Sequence, residues 1–234
     1  MPSPLRTIDL GQLAYAPAYQ EQLRHLAEVQ EARHLGTPEL GRLLLVEHTP
    51  PVITVSRRAG AADHLLASRE ILGQMGIEVC ETDRGGDITY HGPGQLVAYP
   101  ILDLNAWGLS LHAYMRLLEQ VVMDVCRTFG VETHRDPTAT GVWVGRDPDP
   151  DRPSAKVAAM GVRVKRWVSM HGLALNVATN LDHFALIVPC GLAGRGVTSL
   201  RRELGANCPT IDRVKAELVR GFERAAHAVE QTVT

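Results

Sequence analysis

The sequence lacks paired cysteines, and that excludes a good deal. Its four, Cys80, Cys126, Cys190 and Cys208, form no C-x-x-C pair, so a structural zinc site is not expected. His91 and His171 each precede a glycine, and the carboxylates around them do not make up a metal set. Charge of one sign is also lacking. A formal net charge of −2 argues against binding nucleic acid over the whole surface. No apolar run approaches the ~18 residues of a membrane span. The opening MPSPLRTIDL has no charged segment followed by an apolar core, as a secretory leader would. The expectation is a cytoplasmic protein with reduced thiols and no membrane contact. The glycine-rich stretch RGGDITYHGPGQ at 84–95 has neither the phosphate-loop spacing nor the G-x-G-x-x-G of a dinucleotide site. No internal repeat or long linker stands out.

What is present suits one folded domain over residues 1–234. Hydrophobic residues make up 45% and charged residues 21%, enough to bury a core. Helical spacing predicts a helix over 17–35, with Tyr19, Leu23, Leu26 and Gln30 on one stripe and Gly36 as its stop. A second spans 111–129, with Ser110 as N-cap and Gly130 as stop. A third spans 210–229, with Ile211, Val214, Leu218, Phe222 and Val229 on its stripe. Ser68 caps a short helix ending near Gly76. Extended runs are predicted at 43–47, 52–55, 77–81, 96–104 and from 142, and as a pair over 156–166 and 167–177. Strands and helices alternate loosely around a strand-rich middle, which predicts one α+β or mixed α/β domain.

Cys190 has a setting that packing does not explain. It lies between Pro189 and Gly191, with Gly194 and Gly196 beyond, on a turn where a backbone can approach a ligand closely. Cys126 lies in an apolar helical pattern and reads as a buried hydrophobe. An unperturbed thiol has a pKa of about 8.5, so a nearby amine or cation is needed to raise its thiolate fraction. Lys156 is the candidate. Strict alternation along KVAAMGVRVKR puts Lys156 on one face with Ala158, Met160, Val162 and Val164, and Arg163 and Lys165 on the other. A lysine on an apolar face loses hydration, which disfavours its charged form. A bend out to solvent is the alternative reading, as a structural turn is for Cys190. The glycines of 84–95 suit a backbone wrapped around a slim ligand or a plain hairpin pair.

Longer motifs then carry a resemblance. They are EHTP at 47–50, RGGDITYHGPGQLVAYPILDL at 84–104, GVWVG at 141–145, KVAAMGVRV at 156–164, MHGLALNV at 170–177 and PCGLAGRGVTSL at 189–200. In that order they resemble the octanoyl-[acyl carrier protein]:protein N-octanoyltransferases, from about Leu10 to about Leu204. The resemblance implies an α+β, biotin/lipoate ligase-like catalytic fold, a mixed β-sheet flanked by helices, with no cofactor and with Cys190 as acyl acceptor and Lys156 as its partner. It assigns substrate contacts to Arg84, Gly85, Gly86, Asp87, Ile88, Thr89, Tyr90 and His91, to Ala159, Met160 and Gly161, and to Gly172, Leu173 and Ala174. The implied donor is octanoyl-acyl carrier protein. The implied acceptors are lipoyl domains of 2-oxoacid dehydrogenase complexes and the glycine-cleavage H protein. An acidic carrier would find basic candidates at Arg57-Arg58, Arg163 with Lys165, and Arg201-Arg202. Two stretches depart from the family pattern: TPPVITVSRR at 49–58, with an extra proline and Ser56, and the proline-rich loop at 146–154. An ATP-dependent lipoate or biotin ligase and an inactive carrier-binding module remain the alternatives.

Overall fold

Residues 41–48 and 95–102 are buried almost without a break, as strands covered on both faces are. They form β2 (Gly41–His48) and β6 (Gln95–Leu102), central strands of the larger sheet. The computed structural model describes residues 5–37, 39–145, 154–188 and 195–233. Around the central pair stand β1 (Leu5–Leu13), β7 (His134–Arg135), β8 (Val142–Val144), β9 (Ala155–Lys165) and β10 (Val168–Asn176), in the order β1-β2-β6-β10-β9-β8-β7. A short β11 (Gly196–Val197) pairs in parallel with the start of β9. A second sheet has the order β4-β3-β5, from β3 (Val52–Ser56), β4 (Glu78–Thr82) and β5 (Ile88–His91). The runs on either side of Thr49-Pro50-Pro51 therefore belong to different sheets.

Period-2 alternation divides the large sheet between two helical layers. Leu43, Leu45, Leu96, Ala98, Leu173 and Leu175 pack with α3 (Leu111–Thr128) and α5 (Ile211–Val233). Leu44, Val46, Val97, Tyr99, Met170 and Ala174 pack with α1 (Tyr15–His34). The smaller sheet has its own core, where Ile53, Ile88 and Tyr90 meet Phe184 and Leu72 of α2 (Arg69–Gln74). The short α4 (Leu200–Leu204) follows β11 and starts on a Ser199 cap.

The strong stripes hold. Ser110 caps α3, and Tyr114, Leu118, Val121 and Val125 are buried along it. Val214, Leu218 and Phe222 are fully buried on α5. Gly221 lets α5 approach α3 closely, because a Cβ there would come within 2.9 Å of Val121 Cγ1. The stripe expected on α1 is displaced. Tyr15, Ala18, Gln22, His25, Leu26 and Val29 are buried, while Tyr19, Leu23 and Gln30 are only half-buried. Gln22 is a buried polar residue because its Oε1 accepts the His171 amide at 2.8 Å, a tertiary contact no hydropathy pattern announces. Nor does any pattern announce β1, a mostly half-exposed edge strand held by parallel pairing to β2. No helix among the described residues is long and apolar enough to cross a membrane.

The α3–α5 layer predicts a measurable cost. Phe222→Ala should lower stability by about 3–5 kcal/mol in urea unfolding. Ser110→Ala, which removes one cap, should cost about 1 kcal/mol. Equal effects would mean that Phe222 is not a core anchor.

Candidate active site

The site begins with a fault in a strand. Val142 of β8 pairs with Ala158, but Trp143 pairs with Lys156 and Val144 with Ala155, so β9 carries one extra residue at Val157. Directly paired residues share a face. Ala158 and Val142 both lie in the α3–α5 core, as does Val157 itself. Lys156 instead shares the opposite face with Trp143, and its Nζ lies 4.8 Å from a Trp143 ring centroid. This corrects the strict alternation, which put Lys156 with Ala158 and Met160. The bulge turns the lysine out of the helical core and into a cavity of about 300 Å³ lined by Gly85, Gly86, Met115, Thr138–Thr140, Ala159–Val162 and Lys156. Gly141 makes room for its stem. A Cβ at Gly141 would stand 3.0 Å from Lys156 Cε and 2.8 Å from the Ala158 carbonyl oxygen, and its φ of +139° disfavours other residues.

Beyond Ala158 the edge of β9 is free of β8, and the glycine-rich stretch takes the place. Gly85 donates its amide to Val162 O at 2.9 Å. A Cβ on Gly161 would meet Gly85 O at 2.8 Å, and one on Gly85 would meet Val162 O at 2.9 Å. These two glycines serve backbone-to-backbone contact. Ala159, Met160 and Gly161 also line a narrow slot of about 40 Å³. Its remaining walls are Tyr15, Arg84, Thr89, His91, Val97, Tyr99, His171, Gly172, Leu173 and Ala174. The chamber and the slot thus share one wall.

The polar rings of the slot spend their hydrogen bonds on the protein. Tyr15 pairs with Thr82 Oγ1 at 2.7 Å and Tyr99 with His48 Nε2 at 2.7 Å. His91 Nδ1 bonds Gln95 Oε1 at 2.7 Å, and His171 Nε2 bonds Asp83 Oδ1 at 2.8 Å. Asp83 also accepts from Tyr19 Oη and is paired with Arg163. Arg84 is held by the carbonyl and hydroxyl of Thr54 at 2.9 and 3.0 Å. With these bonds directed into the protein, the slot faces inward with ring and aliphatic surface, suited to an apolar chain. Burial pushes His48 down to about 4 and His91 and His171 down to about 3, with Arg84 adding to the effect on His171.

Nine of the expected contact residues converge on the slot: Arg84, Thr89, His91, Ala159, Met160, Gly161, Gly172, Leu173 and Ala174. Gly85 and Gly86 line the chamber instead. Asp87, Ile88 and Tyr90 line neither. Asp87 pairs with His64 at 2.7 Å, Ile88 lies in the smaller sheet's core, and Tyr90 Oη bonds His183. Alternation along β5 explains the split, since Thr89 and His91 face one way and Ile88 and Tyr90 the other. The sequence reading missed Tyr15, Val97, Tyr99 and His171 of the slot, and Met115, Thr138–Thr140 and Val162 of the chamber. Val97 and Tyr99 stood inside a quoted motif, and their shared parity was the available signal.

Cys190 lies outside the described residues, as does the rest of 189–194. Both ends of that segment are described. Val188 donates its amide to His64 O at 2.8 Å, and Val197 pairs with Lys156 in parallel register. The other three thiols are poor nucleophiles. Burial pushes Cys126 up to about 12 and raises Cys80 and Cys208. No group of His, Cys, Asp or Glu that could hold a metal ion occurs among the described residues.

Residues 12–223 match the family described as the lipoyl protein ligase A/B catalytic domain. An octanoyltransferase of Solibacter usitatus is 46% identical over 92% of this chain and 90% of its own length. One of Bacteroides thetaiotaomicron is 43% identical over 97% of each. Among solved structures, a bipartite lipoate protein ligase from Thermoplasma acidophilum superposes with a TM-score of 0.67 at 16% identity, covering 95% of this chain and 83% of that one. A biotin protein ligase from Aquifex aeolicus gives 0.52 at 12% identity, covering 95% and 70%. These structural likenesses show the fold, a mixed sheet flanked by helices of the biotin/lipoate ligase kind.

The buried histidines predict a pH dependence. Unfolded, each ring titrates near ~6.5. Folded, His48, His91 and His171 take protons only near 4, 3 and 3. Below ~6.5 the unfolded chain therefore binds protons that the native rings do not, and stability falls as pH drops from there toward 4. Urea midpoints should be higher at pH 7 than at pH 5, and NMR should find the three rings neutral at pH 5. A ring among them that titrates near 6.5 in the folded protein would contradict this.

Proposed function

Because the chain belongs to the lipoyl protein ligase A/B catalytic domain family, we propose that it transfers octanoyl from acyl carrier protein to a lysine of lipoyl domains through a thioester on Cys190. The enzyme class is acyltransferase, and its place is octanoyl transfer in lipoate biosynthesis. The proposal extends to one catalytic unit over residues 1–234, working in the cytoplasm without a cofactor. The acceptors would be the lipoyl domains of 2-oxoacid dehydrogenase complexes and the glycine-cleavage H protein.

One observation carries the reading. Lys156 stands in a chamber whose wall, Ala159–Gly161, is shared with an apolar slot, and Lys156 pairs with Val197 just beyond the Cys190 segment. The slot takes the acyl chain and the chamber takes the reacting carbonyl. Lys156 as the neutral amine accepts the Cys190 proton, and the thiolate attacks the octanoyl thioester. The bond to the carrier's sulfur breaks, and that thiolate recovers its proton from the Lys156 ammonium. The acceptor's ε-amine then attacks the enzyme thioester. An amide forms, Lys156 takes the amine's proton, and Cys190 leaves as thiolate to be reprotonated. Thioester to thioester is near balanced and thioester to amide is downhill, so no ATP is consumed.

Incubation with octanoyl-carrier should add one octanoyl mass that hydroxylamine removes, and Cys190→Ala should not acquire it. Lys156→Ala should lower turnover ~100-fold or more and move thiol alkylation to higher pH. A label on Cys80, Cys126 or Cys208, or transfer from free octanoate and ATP, would refute the reading.

Carrier docking gives a separate expectation. Arg57, Arg58, Arg201 and Arg202 are exposed, whereas Arg163 is tied to Asp83. If an acidic carrier is steered by these arginines, kcat/KM should fall with salt. Charge reversal at Arg57 and Arg58 should weaken that dependence and spare a small octanoyl thioester. Salt indifference would remove the docking role.

A further inference from the structure

We infer that Trp143, Arg195 and Asp136 form a positioning assembly that holds Lys156 against the end of the Cys190 segment, through one buried indole that both the lysine and the arginine touch. The inference rests on the roles proposed above for Lys156 and Cys190.

Trp143 is fully buried, and its Nε1–H donates to Ala139 O at 3.1 Å, which fixes the ring. Lys156 Nζ lies 4.8 Å from a ring centroid of Trp143, and Arg195 Cζ lies 3.8 Å from one. Both distances are within the range in which a cation is attracted to an aromatic face. Arg195 is the first described residue after 189–194, and the next residue, Gly196, pairs with Ala155 beside Lys156. The indole therefore joins the lysine to the returning end of the segment that bears Cys190. Asp136 anchors the other side of Arg195 at 2.5 Å, with the two side chains 14% and 19% exposed. Its second oxygen accepts from the Thr138 amide at 2.7 Å and the Thr138 hydroxyl at 2.5 Å. Arg195 above all, then Thr138, holds the Asp136 carboxyl well below the usual carboxylate range, so the pair stays charged at working pH. Thr138 itself lines the chamber.

The charges on the assembly give it a distinctive signature. The Arg195 cation opposes protonation of Lys156 and favours a nearby thiolate, while Asp136 offsets part of that field. Removing Arg195 should move reactivity to higher pH. Removing only the Asp136 charge should move it to lower pH. A merely structural loss would not produce opposite shifts.

The test compares Arg195→Ala, Arg195→Lys, Asp136→Asn and Trp143→Phe in the full chain, with circular dichroism as the folding control. It measures kcat and KM with octanoyl-carrier and the pH profile of thiol alkylation. Arg195→Ala should lower kcat by about tenfold or more, since small misplacements near reacting groups are costly. It should leave KM within about twofold, because it does not touch the slot. Arg195→Lys and Trp143→Phe, which keep the cation and the aromatic ring, should retain most of the rate. A rise in KM alone, shifts of the same sign for Arg195→Ala and Asp136→Asn, or an unchanged kcat and profile would overturn the inference. If Lys156→Ala and Cys190→Ala keep full turnover, the proposed reaction fails and the assembly with it. If those two abolish turnover while Arg195→Ala is normal, only the assembly falls.

Discussion

One extra residue in β9, at Val157, separates two faces of a sheet that strict alternation would merge. Without it Lys156 would project with Ala158 and Met160 into the layer between sheet and helices. An ammonium buried there without a partner would cost several kcal/mol or lose its proton altogether. With the bulge, the lysine stem runs past Gly141, its amine reaches the Trp143 ring, and the group opens on a chamber. The neighbouring core loses nothing, because Val157 and Ala158 both remain fully buried. A bulge beside a candidate catalytic side chain is a common device for re-aiming it.

The second constraint is close backbone contact between the two sheets' connecting parts. β8 begins at Val142, opposite Ala158, so β9 presents a free edge beyond that point, and Gly85 fills it by crossing Gly161 with no room for a Cβ on either. That crossing brings Arg84, Thr89 and His91 over the large sheet, where Tyr99, His171 and Ala174 form the opposite wall. Apolar character then arises from residues that are not themselves apolar. Tyrosine and histidine rings pass their polar atoms to Thr82, His48, Gln95 and Asp83 and leave ring surface in the slot. The same burial that makes the slot dry keeps His48, His91 and His171 neutral far below their ordinary range.

The three other thiols sharpen the case for Cys190 by contrast. Each is raised by burial, and Cys126 in the α3 core is the extreme. A carrier of acyl groups needs the reverse, an exposed turn and a cation at hand. Val188, just before 189–194, donates its amide to His64 O, and Gly196 and Val197, just after it, pair with Ala155 and Lys156.

Composition and local pattern by themselves determined the α+β class, the α3 and α5 stripes, the central apolar strands, and the motifs that carry the family. Those features are encoded by neighbours within a few residues, through helical or alternating periodicity and caps such as Ser110. Long motifs also marked most of the slot, because Arg84, Thr89, His91 and the runs at 159–161 and 172–174 stood inside them. Tertiary structure alone decided the rest. The face of Lys156 depends on its pairing with β8, and a one-residue slip reverses every side chain beyond it. The burial of Gln22 depends on an amide 149 positions away, and the β1 edge on its partner β2. Ile88 and Tyr90 turn away from the slot for the same reason: a strand's period says which residues share a face, and only the packed neighbours say which face meets the site.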